Sequence, residues 1–323
     1  MGISSQKPDN EYDLFSIIIS SRNEGGYLRK TIDSLLENTF YSNYEVLIMD
    51  DASDDGSFAF LNHSPYKEDK RLQLHPSKSP SGCRNRWISG IELARGEIYK
   101  FLDAHHCFSP YWLTNLYLNL QSHGFEAIVG PVISVLDHSN WCSTNSVSFG
   151  WTCDESLSKI FHLQYNEVLP KGRVGWFSGH QITIPRAIYE EIGGFCSLFK
   201  HHGTDDFDLC LRAFLFGYEC YVEPTSLIGH LYKEKLINPP TWAEAANNHF
   251  ILLYLNLGRE GFENYKNELR TKEGFEEGLL MFEGICEEVE KKRDWIIANS
   301  VNTSEELLAS IKRFANQTTK NRI

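Results

Sequence analysis

Short apolar runs alternate with helix-like patterns in the first part of the chain, and this alternation limits the fold classes open to it. Residues 14–20, LFSIIIS, form a continuous apolar run, as in a strand buried on both faces of a parallel sheet. Apolar residues recur at helical spacing from Tyr27 to Leu36, and a second apolar run covers residues 44–49. A strand, a helix and a strand at this spacing form a βαβ unit, so the sequence predicts an α/β fold with a mainly parallel sheet.

Charge and composition exclude several classes of function. The 323 residues carry a formal net charge of −12, which argues against a nucleic-acid-binding surface. No run approaches the roughly 18 apolar residues of a membrane span, and the polar residues 1–14 lack the pattern of a secretory signal. The eight cysteines form no CxxC pair, so we expect free thiols and a cytoplasmic protein.

One predicted strand, residues 98–102, ends at an acid that is followed by two histidines. Residues two apart on a strand point the same way, so Asp103 and His105 would place a carboxylate and an imidazole together if strand geometry continues. Mixed oxygen and nitrogen ligands suit Mn²⁺ better than the all-oxygen shell that Mg²⁺ prefers. Ligands of open α/β sheets bind at the carboxyl ends of strands. The alternative is a polar strand end that leads into a solvated turn.

Two further groups of polar residues follow predicted strands or begin helices. Asp50 and Asp51 end the second strand, where a carboxylate can accept a hydrogen bond from a base or ribose, although helix capping is the alternative. Arg84 and Arg86 lie near the start of a predicted helix, where positive charges interact unfavourably with the helix dipole. A bound phosphate or a neighbouring acid would account for them, and solvation at the surface is the alternative. Neither a P-loop nor a GxGxxG motif follows the first strand, which argues against those nucleotide sites.

The second half of the sequence contains one long weakly periodic segment and one dense polar cluster. Residues 137–175 are predicted to form an irregular loop that faces the substrate. A helix is predicted from Asp206, with Asp208 structural and with Asp205 and Asp206 able to project into a cleft. His230 follows a strand, and a lone histidine in that position is more often structural.

The C-terminal part shows amphipathic helical patterns. Thr303 and Glu306 form a capping box that opens the last of these helices. We therefore divide the chain into a catalytic domain at 1–239 and a helical extension at 240–323. The extension could bind an acceptor, form a homodimer or simply cover the catalytic domain.

Taken in order, these motifs resemble a known family. The series Asn-Glu, DDASDDGS, FLDAHH and DDFDLCLR resembles glycosyltransferases of the GT-A fold, a Rossmann-like mixed sheet flanked by helices. More narrowly, residues 101–105, 131–135 and 229–233 resemble the catalytic domain of the polypeptide N-acetylgalactosaminyltransferases. The resemblance covers about residues 14–255.

The resemblance implies a set of binding roles. Asp103, His105 and His230 would bind Mn²⁺ or Mg²⁺, and the metal would bridge the diphosphate of a UDP-sugar donor. Gly179 and His180 would flank the donor sugar. The remaining donor-binding candidates are Ser20, Arg22, Asn23, Glu24, Asp50, Asp51, Arg84, Asp103, Ala104, His202, Tyr232 and Lys233. Tyr232 and Lys233 would belong to a loop that closes over the diphosphate.

The departures from that family bear on mechanism. His106 and Cys107 replace the usual Cys-Glu, and His180 replaces a glycine, which could narrow the sugar pocket. Asp205 and Asp206 stand where the retaining enzymes have Glu-Asn; they are closer to the Glu-Asp of inverting relatives, whose second acid is the general base. Asp205 would contact the sugar and Asp206 would act as base. The membrane anchor, stem and lectin domain of the animal enzymes have no counterpart, so we do not expect a Golgi protein.

The combined expectation is a metal-dependent transfer of sugar from a UDP-sugar to a Ser, Thr or Cys side chain of a peptide or protein. Transfer to a glycan or small molecule is the main enzymatic alternative. A sugar-nucleotide-binding protein without catalysis is the second alternative, and the intact metal and acid positions argue against it.

Overall fold

The computed structural model describes residues 13–164, 168, 170–200, 203–233 and 239–321. The strands are β1 (Phe15–Ser21), β2 (Tyr44–Asp50), β3 (Leu72–Pro76), β4 (Ile98–Asp103), β5 (His106–Phe108), β6 (Ala127–Asp137), β7 (Cys142–Ser148), β8 (Trp151–Cys153), β9 (Ile160–His162), β10 (Arg173–Val174), β11 (Thr183–Pro185) and β12 (Glu219–His230). The helices are α1 (Tyr27–Asn38), α2 (Cys83–Leu93), α3 (Trp112–Ser122), α4 (Arg186–Glu191), α5 (Asp205–Leu215), α6 (Trp242–Tyr265), α7 (Phe275–Glu283), α8 (Cys286–Asn299) and α9 (Ser304–Asn321).

Ten strands form one mixed sheet in the order β10-β12-β6-β11-β4-β1-β2-β3, with β5 paired to β12 and β7 to β6. The pairs β4-β1, β1-β2, β2-β3 and β6-β12 are parallel. This mixed sheet with flanking helices confirms the predicted α/β fold class. The antiparallel strand β11 joins the two parallel blocks.

Strand β1 shows why the continuous apolar run predicts a doubly covered strand. All seven of its residues are buried. Ile17 and Ile19 pack into the core beneath α1 and α3, whereas Ile18 packs into the core on the α2 and α5 side. Alternate side chains point to opposite faces of a strand, so apolar residues are needed at every position when helices cover both faces.

Two short segments after β4 and β12 bring distant histidines together. Strand β4 ends at Asp103, the next two residues form a bend, and β5 begins at His106. Strand β5 pairs antiparallel with the end of β12, and His106 lies directly opposite His230. The predicted strand alternation from Asp103 to His105 is therefore wrong, because the chain turns between them.

The prediction of an irregular segment at 137–175 is also wrong, and its substrate-facing role stays a prediction. The segment contains β7, which pairs with β6, and the two-stranded ribbon β8-β9. Strand β7 has little apolar periodicity because most of its side chains are exposed or half-buried. None of the described residues of this segment lines the main cleft.

The C-terminal helices pack against one another and against α5. Phe250 and Leu253 of α6 are fully buried in the same core as Phe207 of α5. Thr303 Oγ1 accepts a hydrogen bond from the Glu306 backbone N–H at 3.2 Å, and the Thr303 N–H donates to Glu306 at 2.8 Å, as the predicted capping box requires. The domain boundary near residue 240 stays a prediction. Within the described residues, no helix combines the length and the apolar character that crossing a bilayer requires.

Candidate active site

A cleft of about 500 Å³ opens at the carboxyl ends of β1, β2 and β4. This edge is where open α/β sheets bind their ligands. The predicted residues that line it are Ser20, Arg22, Glu24, Asp51, Arg84, Asp103, His105, Gly179, His180, Asp205, Asp206, His230, Tyr232 and Lys233. His202, also predicted, lies outside the described residues. The fold therefore gathers residues from most of the catalytic part into one cavity.

Three predicted donor-binding residues hold loops instead of lining the cleft. Asn23 accepts a hydrogen bond from the backbone N–H of Asp54 at 3.0 Å. The carboxylate of Asp50 accepts one from the backbone N–H of Ser53 at 3.2 Å. The carbonyl of Ala104 accepts one from Thr31 Oγ1 at 3.0 Å. These contacts shape the cleft edges from behind.

One end of the cleft is lined by Asp51 and the start of α2. The Asp51 carboxylate accepts hydrogen bonds from the backbone N–H groups of Ser81 at 2.7 Å and Gly82 at 3.0 Å, which fasten the helix start to β2. Arg84 is buried, and its Nε and Nη1 have no hydrogen-bond partner among the described residues. A buried guanidinium with free donors at a helix N-terminus fits an anionic ligand such as a diphosphate.

Glu24 links two other predicted residues across the cleft. Its Oε2 lies 3.2 Å from Nδ1 of His105, and its Oε1 accepts a hydrogen bond from Nζ of Lys233 at 2.7 Å. Lys233 follows the end of β12, so this contact joins the ends of β1 and β12. A carboxylate on one imidazole nitrogen orients the ring and leaves Nε2 of His105 for another ligand.

The floor of the cleft carries the densest group of possible metal ligands. The ligand atoms of Asp103, His106, His180 and His230 all lie within 4.8 Å of one another. Asp103 Oδ2 is 3.3 Å from His230 Nε2 and 3.6 Å from His180 Nδ1. These distances suit a shared cation, because buried carboxylates and imidazoles otherwise need hydrogen-bond partners.

The protonation states of this group fit metal binding. Burial lowers the pKa of His106, His180 and His230 below the usual 6.5, so the rings are neutral at pH 7. Burial tends to raise the pKa of Asp103, but the hydrogen bond from His230 lowers it, and the pKa of Asp103 lies well below its usual value. A carboxylate and neutral imidazoles are the forms that bind metals.

The turn at residues 179–181 is fixed from two sides. The fully buried Lys100 donates a hydrogen bond from Nζ to the His180 carbonyl at 2.7 Å, and burial lowers the pKa of Lys100 well below its usual value. A Cβ on Gly179 would lie 2.5 Å from the Trp87 ring, so only glycine fits there. Lys100 and Trp87 thereby set the position of the His180 side chain.

Asp205 and Asp206 begin α5 on the cleft wall. The backbone N–H of Gly203 donates to Asp205 Oδ1 at 2.9 Å, and that of Gly179 donates to Asp206 Oδ2 at 2.8 Å. Burial and the adjacent Asp205 raise the pKa of Asp206 to about 7. A carboxyl group with a pKa near neutrality is matched to proton transfer at physiological pH.

Two residues that matter at the site were not predicted to take part. His106 was noted only as a departure from the family motif, and Lys100 was assigned to an apolar strand. The doubled histidine in Asp103-Ala-His-His was the available signal for His106. No local pattern marks Lys100, whose partner is 80 residues away.

The mixed sheet and the cleft with its acid–histidine floor define a glycosyltransferase of the GT-A fold. The chain belongs to glycosyl transferase family 2, whose family model matches residues 16–193. Its sheet and helices superimpose on a crystal structure of GalNAc-T7 with UDP, GalNAc and Mn²⁺, with a TM-score of 0.76 and 19% identity, over 94% of this chain and 57% of that one. The predicted GT-A fold is thereby confirmed.

Curated relatives are polypeptide N-acetylgalactosaminyltransferases and proteins named after them. Polypeptide N-acetylgalactosaminyltransferase 3 of Taeniopygia guttata is 26% identical, over 68% of this chain and 38% of its own length. Human polypeptide N-acetylgalactosaminyltransferase 15 is 25% identical, over 74% of this chain and 39% of its own length. An inactive polypeptide N-acetylgalactosaminyltransferase-like protein 5 of Macaca fascicularis is 24% identical, over 78% of this chain and 58% of its own length. The chain thus spans less than two thirds of the length of each.

Proposed function

We propose that the protein transfers a sugar from a UDP-sugar to an acceptor in a reaction that requires a divalent cation. The observation that carries this proposal is one cleft that holds Asp103 and His230, the Arg84 guanidinium with Nε and Nη1 free of partners among the described residues, and the Asp205–Asp206 pair. The cleft thus offers a cation site, an anion site and a base. The presence of UDP, GalNAc and Mn²⁺ in the solved GalNAc-T7 structure supports a nucleotide-sugar donor and a divalent cation.

The residues present fit a divalent metal. The two ring nitrogens of His230 are buried and have no hydrogen-bond partner among the described residues, although Nε2 lies 3.3 Å from Asp103 Oδ2. Asp103, His105 and His230 are the predicted Mn²⁺ ligands, with Glu24 orienting His105. A cation held there supplies Lewis-acid stabilisation to the leaving diphosphate.

Residues of the chain itself bind the diphosphate, accept the proton and exclude water. Arg84 offers its free donors to the diphosphate. A carboxylate oxygen of Asp206 takes the proton from the hydroxyl or thiol of the acceptor substrate. The oxygen or sulfur that loses this proton bonds to the anomeric carbon of the sugar. At the same time the bond between that carbon and the diphosphate oxygen breaks. Attack from the face opposite the leaving group inverts the anomeric centre. Tyr232 and Lys233 at the cleft mouth exclude water from the donor.

For the acceptor, we propose a Ser, Thr or Cys side chain of a peptide or protein. The names of the curated relatives support this class of acceptor. A glycan or small-molecule acceptor is the competing assignment. A non-catalytic sugar-nucleotide-binding protein is a further candidate, and the relative named as inactive makes it worth testing. We also propose a cytoplasmic location, which agrees with the absence of any disulfide among the eight cysteines, all of them described.

Donor binding tests the proposal first. Thermal shift and calorimetry with a panel of UDP-, GDP- and TDP-sugars, each with and without Mn²⁺, should give a Mn²⁺-dependent response to one UDP-sugar. That sugar is then offered with peptides that carry a single Ser, Thr or Cys, and with a glycan panel. No nucleotide response would contradict the proposal, and a response without transfer to any acceptor would favour the binding protein.

A further inference from the structure

We propose that Asp103, His106, His180 and His230 form a closed four-ligand site for one Zn²⁺. This site shares Asp103 and His230 with the predicted Mn²⁺ set but replaces His105 by two other histidines. Zinc binding by these four residues stands without any assumption about sugar transfer. Its consequence, that Zn²⁺ and the catalytic metal exclude each other, rests on the proposed function.

His106 provides the first argument. It is fully buried, and its Nδ1 lies 2.9 Å from the backbone carbonyl of Asp103. A carbonyl oxygen only accepts, so Nδ1 carries the proton and Nε2 keeps a lone pair. That Nε2 has no hydrogen-bond partner among the described residues. A ring fixed through one nitrogen, with the other buried and free, is the arrangement of a metal-binding histidine.

The neighbouring side chains surround the same point, with the rings of His180 and His230 stacked at a centroid distance of 4.3 Å and an interplanar angle of 7°. His106 faces His230 across the β5–β12 pair, and their ring centroids are 4.9 Å apart. Two contacts of Asp103 Oδ2, at 3.3 Å to His230 and 3.6 Å to His180, already match the ligand separation of roughly 3.4 Å in a tetrahedral zinc site. All four ligand atoms lie within 4.8 Å, so a contraction of about 1.4 Å in the widest separation, with rotation of one of the two stacked rings, completes the site.

The ligand types select the metal. Three imidazoles and one carboxylate make a nitrogen-rich set, which suits Zn²⁺, whereas Mg²⁺ and Mn²⁺ favour oxygen ligands. Four protein ligands also fill a tetrahedral shell and leave no position for a diphosphate oxygen. The set that contains His105 supplies only three protein ligands and opens into the cleft. Zinc in the closed set therefore withholds Asp103 and His230 from the donor.

Metal affinity tests the ligand set without any substrate. Full-length protein freed of metal with EDTA is titrated with Zn²⁺ by calorimetry, and bound zinc is counted by elemental analysis. We expect one Zn²⁺ per chain, and His106→Gln or His180→Ala should each weaken its binding by at least about tenfold. His105→Gln should bind Zn²⁺ as tightly as the wild type, and so should His123→Gln, a control on a distant half-buried histidine. Thermal unfolding of each metal-free variant checks that it folds.

If His106→Gln does not fold, His180→Ala, a change in a side chain that lines the cleft, tests the same set. Co²⁺ serves as a second probe, because its visible absorption is strong in a four-coordinate site and weak in a six-coordinate one. The wild type should give the strong band and His180→Ala should lose it. Unchanged Zn²⁺ affinity in His180→Ala, or loss of Zn²⁺ affinity in His105→Gln, would overturn the proposal.

Competition separates this inference from the proposed function. Zn²⁺ added to Mn²⁺-loaded protein should release Mn²⁺, seen as growth of the free Mn²⁺ electron paramagnetic resonance signal, and His180→Ala should need at least about tenfold more Zn²⁺. Zinc binding by the four residues with no UDP-sugar response would retain the zinc site and reject the proposed function. A Mn²⁺-dependent response to a UDP-sugar, together with an unchanged Zn²⁺ affinity in His180→Ala, would retain the proposed function and reject the zinc site.

Discussion

The backbone N–H of Gly179 donates a 2.8 Å hydrogen bond to Oδ2 of Asp206. This contact ties the turn that carries His180 to the first turn of α5. The position of the possible metal ligand His180 and the position of the candidate base Asp206 therefore depend on each other. The two residues joined by this bond are 27 positions apart in the sequence. A change on either side is expected to move the other.

Asp206→Asn should lower the rate of sugar transfer by about 10²–10⁴-fold, the usual contribution of a general base. Mn²⁺-dependent binding of the donor should remain, because the amide keeps the acceptor oxygen for the Gly179 N–H. Transfer is measured with saturating donor, and binding is measured by calorimetry. Transfer at the wild-type rate would remove Asp206 from the base role.

The raised pKa of Asp206 predicts a pH dependence of stability. The folded-state pKa is about 7, whereas the unfolded value is about 3.9, so the unfolded chain is the more ionised state between these values. The contribution of Asp206 to the free energy of unfolding is therefore fully present below pH ~4 and is lost as the pH rises towards 7. The free energy of unfolding is measured by urea titration of the metal-free wild type and the metal-free Asp206→Asn variant. The wild-type value minus the variant value should decrease as the pH is raised from 5 to 8. A difference that rises with pH would contradict this assignment.

Asp103→Ala and His230→Ala should each abolish metal-dependent turnover of the donor, because both ligand sets contain these two residues. The loss should persist at raised Mn²⁺. Turnover is followed as release of the nucleoside diphosphate. Wild-type rates in either variant would exclude a catalytic metal at the floor of the cleft.

Arg84→Ala should weaken UDP binding by about 10–100-fold, as expected for the loss of charge-assisted hydrogen bonds of about 1.5–3 kcal/mol. Uridine binding should change little, because the guanidinium is assigned to the diphosphate. Arg95→Ala, which removes an exposed guanidinium that pairs with the buried Glu45, is the matched control. Equal losses for UDP and uridine would place Arg84 at the nucleoside instead.

Arg212→Ala should destabilise the fold by about 3–5 kcal/mol because it leaves the buried Asp208 carboxylate without its cation. Arg212 donates to Asp208 Oδ2 at 2.5 Å and to the Gly194 carbonyl at 2.7 Å, and both side chains are fully buried. The exposed pair of Arg259 and Glu290 is the control, and Arg259→Ala should cost about 0–1 kcal/mol. Urea unfolding compares the two; similar losses would contradict a buried network.

Helix α5, which contains Asp208, is an element that local sequence patterns predicted. Acids in its first turn and Gly217 after its end predicted the element, and Asp208 was correctly predicted as structural. The buried run of β1, the acids at the strand ends and the capping box at Thr303 were predicted for the same reason. Each is a local pattern, because capping and side-chain periodicity depend on residues a few positions apart.

The sequence by itself determined the α/β class, the run of catalytic-type residues at strand ends, and the acid–histidine motif around Asp103. Only the tertiary structure decided which histidines meet that acid. His106 reaches His230 because β5 pairs with a strand more than 100 residues later, and His180 arrives on a turn held by the buried Lys100. Such contacts depend on long-range pairing and packing, which no local period encodes.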